Sequence, residues 1–243
     1  MGYLYHGTDA RFLPKIKANG LQPRSISKHK GNWSHSVPSN PKAVYLTDTY
    51  PFHFAAASGG SKHGLILEID RDLLLPWKLC PDEDAIEQTT RKKQIKGGAP
   101  LDASMKERTM FYRGVAQFNP ELADMSLKAM GTVGYYEIIP FSAVTRYVII
   151  DWKKLDPTLS LMAMDTQVSV INFRVMADRH QALVRWFFHD PVLVEELMFA
   201  PMPEEEGPLG ELLKKQREHL SKAMSNREAL EIVVLKESVD EQA

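Results

Sequence analysis

Apolar residues fall along this chain in two rhythms, short strand-like runs and helical spacing, broken by glycine, proline and polar clusters. Leu4 between Tyr3 and Tyr5 predicts a short strand that Gly7 ends, with Thr8 or Asp9 capping a helix through Phe12, Leu13 and Ile16. Gly20-Leu21-Gln22-Pro23 breaks that helix, and residues 24–42 read as a long polar loop. A strand over Ala43–Thr47 follows, then a helix capped by Asp48 or Thr49 and running through Phe52, Phe54 and Ala55–Ala57. After a turn at 58–61, Gly64–Asp70 is almost continuously apolar, the pattern of a central strand. Acids at Asp82-Glu83-Asp84 and bases at Arg91-Lys92-Lys93 fit the two ends of a helix dipole. Lys106–Met130 reads as helix interrupted at Asn119-Pro120, and strands are expected over Tyr135–Pro140 and Val144–Ile150.

Beyond Asp151 the texture turns helical. Residues 166–188 carry a helical stripe that includes Phe173, Trp186, Phe187 and Phe188, and 202–208 reads as a linker. Leu209–Met224 is an amphipathic helix, and the chain is expected to fray after Leu235. This divides the chain into a mixed domain over 1–150 and a helical C-terminal extension over 151–243, an α+β protein. Truncation before Met202 is expected to leave the rest folded, the extension serving as a docking surface or completing the core.

The net charge of −1 hides an asymmetry: residues 1–150 hold 19 Lys+Arg against 14 Asp+Glu, and 151–243 hold 11 against 17. A mildly basic front half is compatible with phosphates but falls short of a dedicated nucleic-acid binder. One cysteine, Cys80, excludes an internal disulfide. The first residues lack a basic segment followed by an apolar run, and no apolar run is long enough to span a membrane, so a cytoplasmic location is expected.

Asp82-Glu83-Asp84 is expected to be a helix cap. Consecutive helical positions point in different directions, so no metal site is assigned there. In the 24–42 loop, Trp33 lies among Arg24, Lys28, His29, Lys30 and His35, where an indole either stacks on a base or lies on a neighbouring apolar patch. Glu137 stands between Tyr136 and Ile138, where a carboxylate either faces solvent at an edge or is buried for a reason.

His6 in Tyr-His-Gly-Thr, Tyr45 in Tyr-Leu-Thr-Asp and Glu137 in Tyr-Tyr-Glu-Ile-Ile-Pro form an ordered set that resembles the His-Tyr-Glu type of the ADP-ribosyltransferase superfamily. The turn Gly20-Leu21-Gln22-Pro23 is similar to one common there. The spacing of Glu137, Pro140 and Val144 resembles the last active-site strand of DarT-type DNA ADP-ribosyltransferase toxins, and Lys62–Asp70 the middle strand of the RNA 2′-phosphotransferase branch. The resemblance covers roughly residues 3–150.

It implies split small sheets around an NAD cleft, with NAD as co-substrate and no metal. His6 would bond a ribose hydroxyl, Gly7 and Thr8 would line the cofactor site, and Tyr45 would stack on nicotinamide. Tyr50 and Phe54 compete as the second stacking ring. Glu137 would hold the ribose 2′-hydroxyl and stabilise an oxocarbenium-like transition state, while Arg24 and Trp33 would meet the acceptor. The implied activity is mono-ADP-ribosylation of nucleic acid, RNA or single-stranded DNA, by a bacterial toxin or anti-phage effector restrained by an antitoxin. The 2′-phosphotransferases do not use a Glu at the last strand, so Glu137 argues against that alternative. Tyr135, two before Glu137, departs from the paired acids of arginine-specific toxins. The other alternative is a non-catalytic module that binds NAD or ADP-ribose.

Overall fold

The computed structural model describes residues 2–28, 38–58, 62–92, 98–100, 102–164, 173–188, 197 and 207–235. It is a mixed α+β structure. Among the described residues there are seven strands, β1 (Tyr3–Asp9), β2 (Val44–Thr47), β3 (His63–Asp70), β4 (Leu79–Pro81), β5 (Thr132–Tyr135), β6 (Val144–Asp151) and β7 (Leu230–Val234). They form one sheet in the order β4-β5-β2-β1-β3-β6-β7. The split pair of small sheets is therefore not what forms, because each strand is hydrogen-bonded to the next across the whole order. By contact density the chain divides into two units, one of residues 1–6, 12–48 and 68–145 and the other of 7–11, 49–67 and 146–243.

In the first unit β1–β2, β2–β5 and β4–β5 pair antiparallel, with Tyr5 opposite Thr47, Tyr45 opposite Gly134 and Cys80 opposite Gly134. The helices are α1 (Leu13–Asn19), α2 (Arg24–Ser27), α4 (Glu83–Lys92), α5 (Met105–Phe118) and α6 (Ala123–Met130). α2 lies inside the stretch expected to be loop. A capping box starts α5: Ser104 Oγ accepts from the Glu107 amide while the Glu107 carboxylate accepts from the Ser104 amide. α6 ends on Gly131 with φ 67°, a left-handed C-cap that a side chain would resist. β5 begins at Thr132 and ends at Tyr135, so the strand expected over Tyr135–Pro140 has in fact finished before Glu137. Leu4, Leu46, Val133 and Ile139 lie at the centre of this unit's core.

In the second unit the helices are α3 (Pro51–Ala57), α7 (Pro157–Met164), α8 (Phe173–Phe188) and α9 (Pro208–Ser225). Gly7 does not end β1, which continues to Asp9. A Cβ at Gly7 would collide with the Pro51 carbonyl oxygen and the Ala55 amide, so the glycine admits the first turn of α3 against the strand. Neither Asp48 nor Thr49 caps α3; Tyr50 stands at its N-cap, and its side chain makes no capping bond. Asp9 caps the short 3-10 turn Ala10–Phe12 that leads into α1, its Oδ1 accepting from the Arg11 amide. Phe52 packs on Phe187 with ring centroids 3.9 Å apart, within a core that includes Leu65, Ile66, Ile150, Leu159 and Leu183.

The region expected to be helical also holds β7, which pairs with β6 over five residues from Arg146↔Val234 to Ile150↔Leu230. Leu220 of α9 is fully buried, the Trp186 indole donates to the Met224 carbonyl, and Arg227 donates to the carbonyls of Trp186 and Phe187. α9 and β7 are thus part of the second unit's core and sheet, and the last helix is not separable. Truncation before Met202 is expected to unfold this unit, because it strips β6 of one of its two partner strands and removes these bonds. Loss of the cooperative thermal transition in circular dichroism checks this, and a parental transition would refute it.

Candidate functional site

Alternation along a strand decides which side chains meet. Tyr5 opposite Thr47 and Tyr45 opposite Gly134 place Tyr5, Thr47, Tyr45 and Gly134 on one face. His6, Leu46, Val133 and Tyr135 then fall on the other. His6 and Tyr45 are joined all the same, because His6 Nδ1 lies 2.9 Å from the Tyr45 backbone carbonyl. A carbonyl can only accept, so Nδ1 carries the proton and Nε2 of the neutral ring is an acceptor. Burial pushes the His6 pKa down and so favours that neutral ring, an effect that the bond to the Tyr45 carbonyl partly opposes.

The Tyr45 hydroxyl belongs to a second group of bonds. Its hydroxyl donates to Glu83 Oε2 at 2.5 Å and accepts from the Asn40 amide at 2.5 Å. The Tyr136 hydroxyl donates to Glu83 Oε1 at 3.3 Å and accepts from Asn40 Nδ2 at 3.0 Å. Asn40 Oδ1 accepts from the Lys42 amide. Glu83 is buried, with both oxygens met by phenols. Its pKa is raised because desolvation outweighs the bonds from Tyr45 and Tyr136 and the charge of Arg113. Burial and the facing carboxylate push the phenols up as well, Tyr45 most strongly.

Beside Glu83, Asp82 does cap α4, accepting the Asp84 amide on Oδ1 at 3.0 Å. Burial and the neighbouring Glu83 and Asp84 raise its pKa to about 7. Only the cap was legible at 81–84 in the sequence. The buried centre had no local signal, because the pairing of Tyr45 with Gly134, two residues from Tyr136, joins segments far apart in the chain.

Glu137 sits two residues beyond Tyr135, in a bend, with its side chain half exposed and its Oε2 3.4 Å from Lys78 Nζ. The bend is pinned on both sides. The Tyr136 amide donates to the Lys78 carbonyl at 2.9 Å, and Leu21 and Ile139 exchange backbone bonds of 2.8 and 3.0 Å. Gly20, with φ 72°, has no room for a Cβ beside the Ile139 carbonyl, which explains the Gly-Leu turn physically. The structure thus ties His6 to the Tyr45 backbone, places the Tyr45 side chain on Glu83, and fixes Glu137 beside Lys78.

Of the other residues read from sequence, Arg24 donates to the carbonyl and hydroxyl of Ser39, and Arg113 to the carbonyls of Pro38 and Ser39, so both guanidinium groups hold the returning end of the loop. Trp33 lies outside the described residues. In the second unit Gly7 and Thr8 lie on β1, Tyr50 is buried edge-on to His180 with centroids 4.8 Å apart, and Phe54 is half-buried against His53. Among the described residues no group of three or more His, Cys, Asp or Glu could hold a metal ion, and no helix is long and apolar enough to cross a membrane. Comparison with protein-family models and with curated proteins finds no match.

Tyr45→Phe is expected to cost about 1–3 kcal/mol, since it leaves buried Glu83 short of a donor and the Asn40 amide short of an acceptor. Urea unfolding measures it, and a change within a few tenths would mean that the cluster contributes nothing. A carboxyl whose folded pKa lies above its unfolded value holds more protons folded than unfolded between about pH 4 and 7. Its contribution to stability is therefore fully present below about pH 4 and lost as pH rises to about 7. Asn preserves the cap, so the stability of Asp82→Asn relative to the parent should climb from pH 4 to 7 and then level off. A pH-independent difference would contradict the raised pKa of the half-buried Asp82.

Proposed function

We propose that the protein is an NAD-dependent mono-ADP-ribosyltransferase with Glu137 as its catalytic carboxylate. The observation that carries this reading is an exposed carboxylate on a bend anchored at both flanks, by the Lys78 carbonyl and by the Leu21–Ile139 bridge. It emerges two residues past Tyr135, the end of the row on which His6 lies. The neutral His6 ring, its tautomer set by the Tyr45 carbonyl, presents Nε2 as an acceptor for a ribose hydroxyl. Tyr45 contributes its backbone to this arrangement, its hydroxyl is held by Glu83 and Asn40, and its ring face is the proposed stacking surface for nicotinamide.

In the reaction the bond from ribose C1′ to the nicotinamide nitrogen breaks, and its electron pair leaves with neutral nicotinamide. Positive charge develops on the ribose, where a carboxylate close by lowers the barrier. A nucleophilic oxygen or nitrogen of the acceptor bonds to C1′, and its proton passes to Glu137 or to water. The favoured acceptor is nucleic acid, RNA or single-stranded DNA, in keeping with the basic residues 1–150. The biological setting we propose is a cytoplasmic bacterial toxin or anti-phage effector with an antitoxin partner.

Glu137→Gln keeps the shape and loses the charge, and is expected to lower transfer by roughly a hundredfold or more while leaving the fold intact. The measurement offers labelled NAD with protein, RNA, single-stranded DNA and duplex DNA in separate reactions. Parental transfer by Glu137→Gln rules out this mechanism. Formation of a cyclic ADP-ribose phosphate from 2′-phosphorylated RNA would replace it with phosphotransfer.

A further inference from the structure

Between β3 and β4 the chain turns outward in a way that the transfer reading leaves unexplained. Leu74 is buried, while Leu73, Leu75 and Trp77 are 51%, 41% and 64% exposed. Three large apolar side chains exposed within five residues, the indole most of all, are a local cluster of the kind that marks an interaction site. The turn that carries it is held firmly. The Lys78 amide donates to the Leu75 carbonyl at 2.9 Å, the Leu75 amide to the Tyr135 hydroxyl at 3.4 Å, and the Lys78 carbonyl receives the Tyr136 amide. Trp77 therefore has little backbone freedom left to lose on binding. The next residue, Lys78, is the cation paired with Glu137.

We propose that Trp77 and Lys78 form a subsite for one nucleotide of a single-stranded nucleic-acid acceptor, a proposal that rests on Glu137 being the catalytic carboxylate. The base stacks on the indole, and the phosphate takes the Lys78 ammonium from Glu137. Both halves of the subsite have their chemical counterpart in a nucleotide: an apolar π-face, and a cation that a more highly charged anion draws from a carboxylate. The exposed Lys78–Glu137 pair is weak enough to exchange, because solvent screens it. Acceptor binding then frees the carboxylate where the ribose must be stabilised. This couples acceptor occupancy to turnover and restrains cleavage of NAD when no acceptor is bound.

The test is binding by the full-length protein, in the absence of NAD, of fluorescein-labelled oligo(dT) and oligo(U) of about twelve nucleotides, a length within the span such sites cover. Trp77→Ala should weaken binding roughly tenfold or more, and Trp77→Phe should restore most of it, since the ring face is the contact. Lys78→Met should reduce the magnitude of the salt dependence by about one phosphate contact. Parental affinity in Trp77→Ala, an unchanged salt slope in Lys78→Met, or failure of the parent to bind either oligonucleotide overturns the subsite, the last assigning the exposed face to a protein partner instead. Binding that depends on Trp77 without any ADP-ribosyl transfer leaves the subsite standing and removes the reaction. Transfer to nucleic acid that is indifferent to Trp77→Ala does the reverse.

Discussion

The first unit is organised around one electrostatic demand, that the Glu83 carboxylate, shut away from water, be matched by donors. Two phenols meet it, Tyr45 of β2 and Tyr136 just past the end of β5, and Asn40 bonds to both of them. A buried acid with a missing partner is costly, so this network fixes the relative positions of β2, the end of β5, the start of α4 and the return of the loop at Asn40. Arg24 and Arg113 fix the same return from outside, through Pro38 and Ser39. The raised pKa of Glu83 and the cap at Asp82 show the same balance: acids at a helix start gain from the helix dipole and lose from desolvation and from one another.

From that network the geometry of the candidate site follows. With the Tyr45 side chain committed to Glu83, the alternation of β1 and β2 leaves His6 on the opposite face, where the Tyr45 carbonyl sets its tautomer. Tyr136 is committed in the same way, and its amide ties the following bend to Lys78, so Glu137 projects from a segment whose backbone is already satisfied on both sides. One residue's shift in register would exchange the two faces, moving His6 to the side of the buried acid.

What the sequence by itself determined was local. The apolar runs marked β2, β3 and β6, the acidic front of α4 and the break at Asn119-Pro120 fell where they were read, and the Gly20-Leu21 turn is a turn. Ser104 and Glu107, spaced as a capping box, were a further local signal for the start of α5. Such features depend on residues within a few positions of each other, so periodicity and capping chemistry suffice to read them. β4 and α7 escaped that reading because both are short, and a three-residue strand carries too little pattern to stand out.

Only the tertiary structure decided the rest. Gly7 read as a stop, yet it exists to let α3 approach, a reason supplied by residues more than forty positions away. β7, just before the tail expected to fray, drew no reading of its own, and pairing with β6 made it a strand. Glu83 read as a cap, and only the long-range meeting of Tyr45 and Tyr136 made it a buried centre. Each turns on contacts between distant segments, whose cost in chain entropy is repaid by burial and cross-strand bonding that no local pattern records.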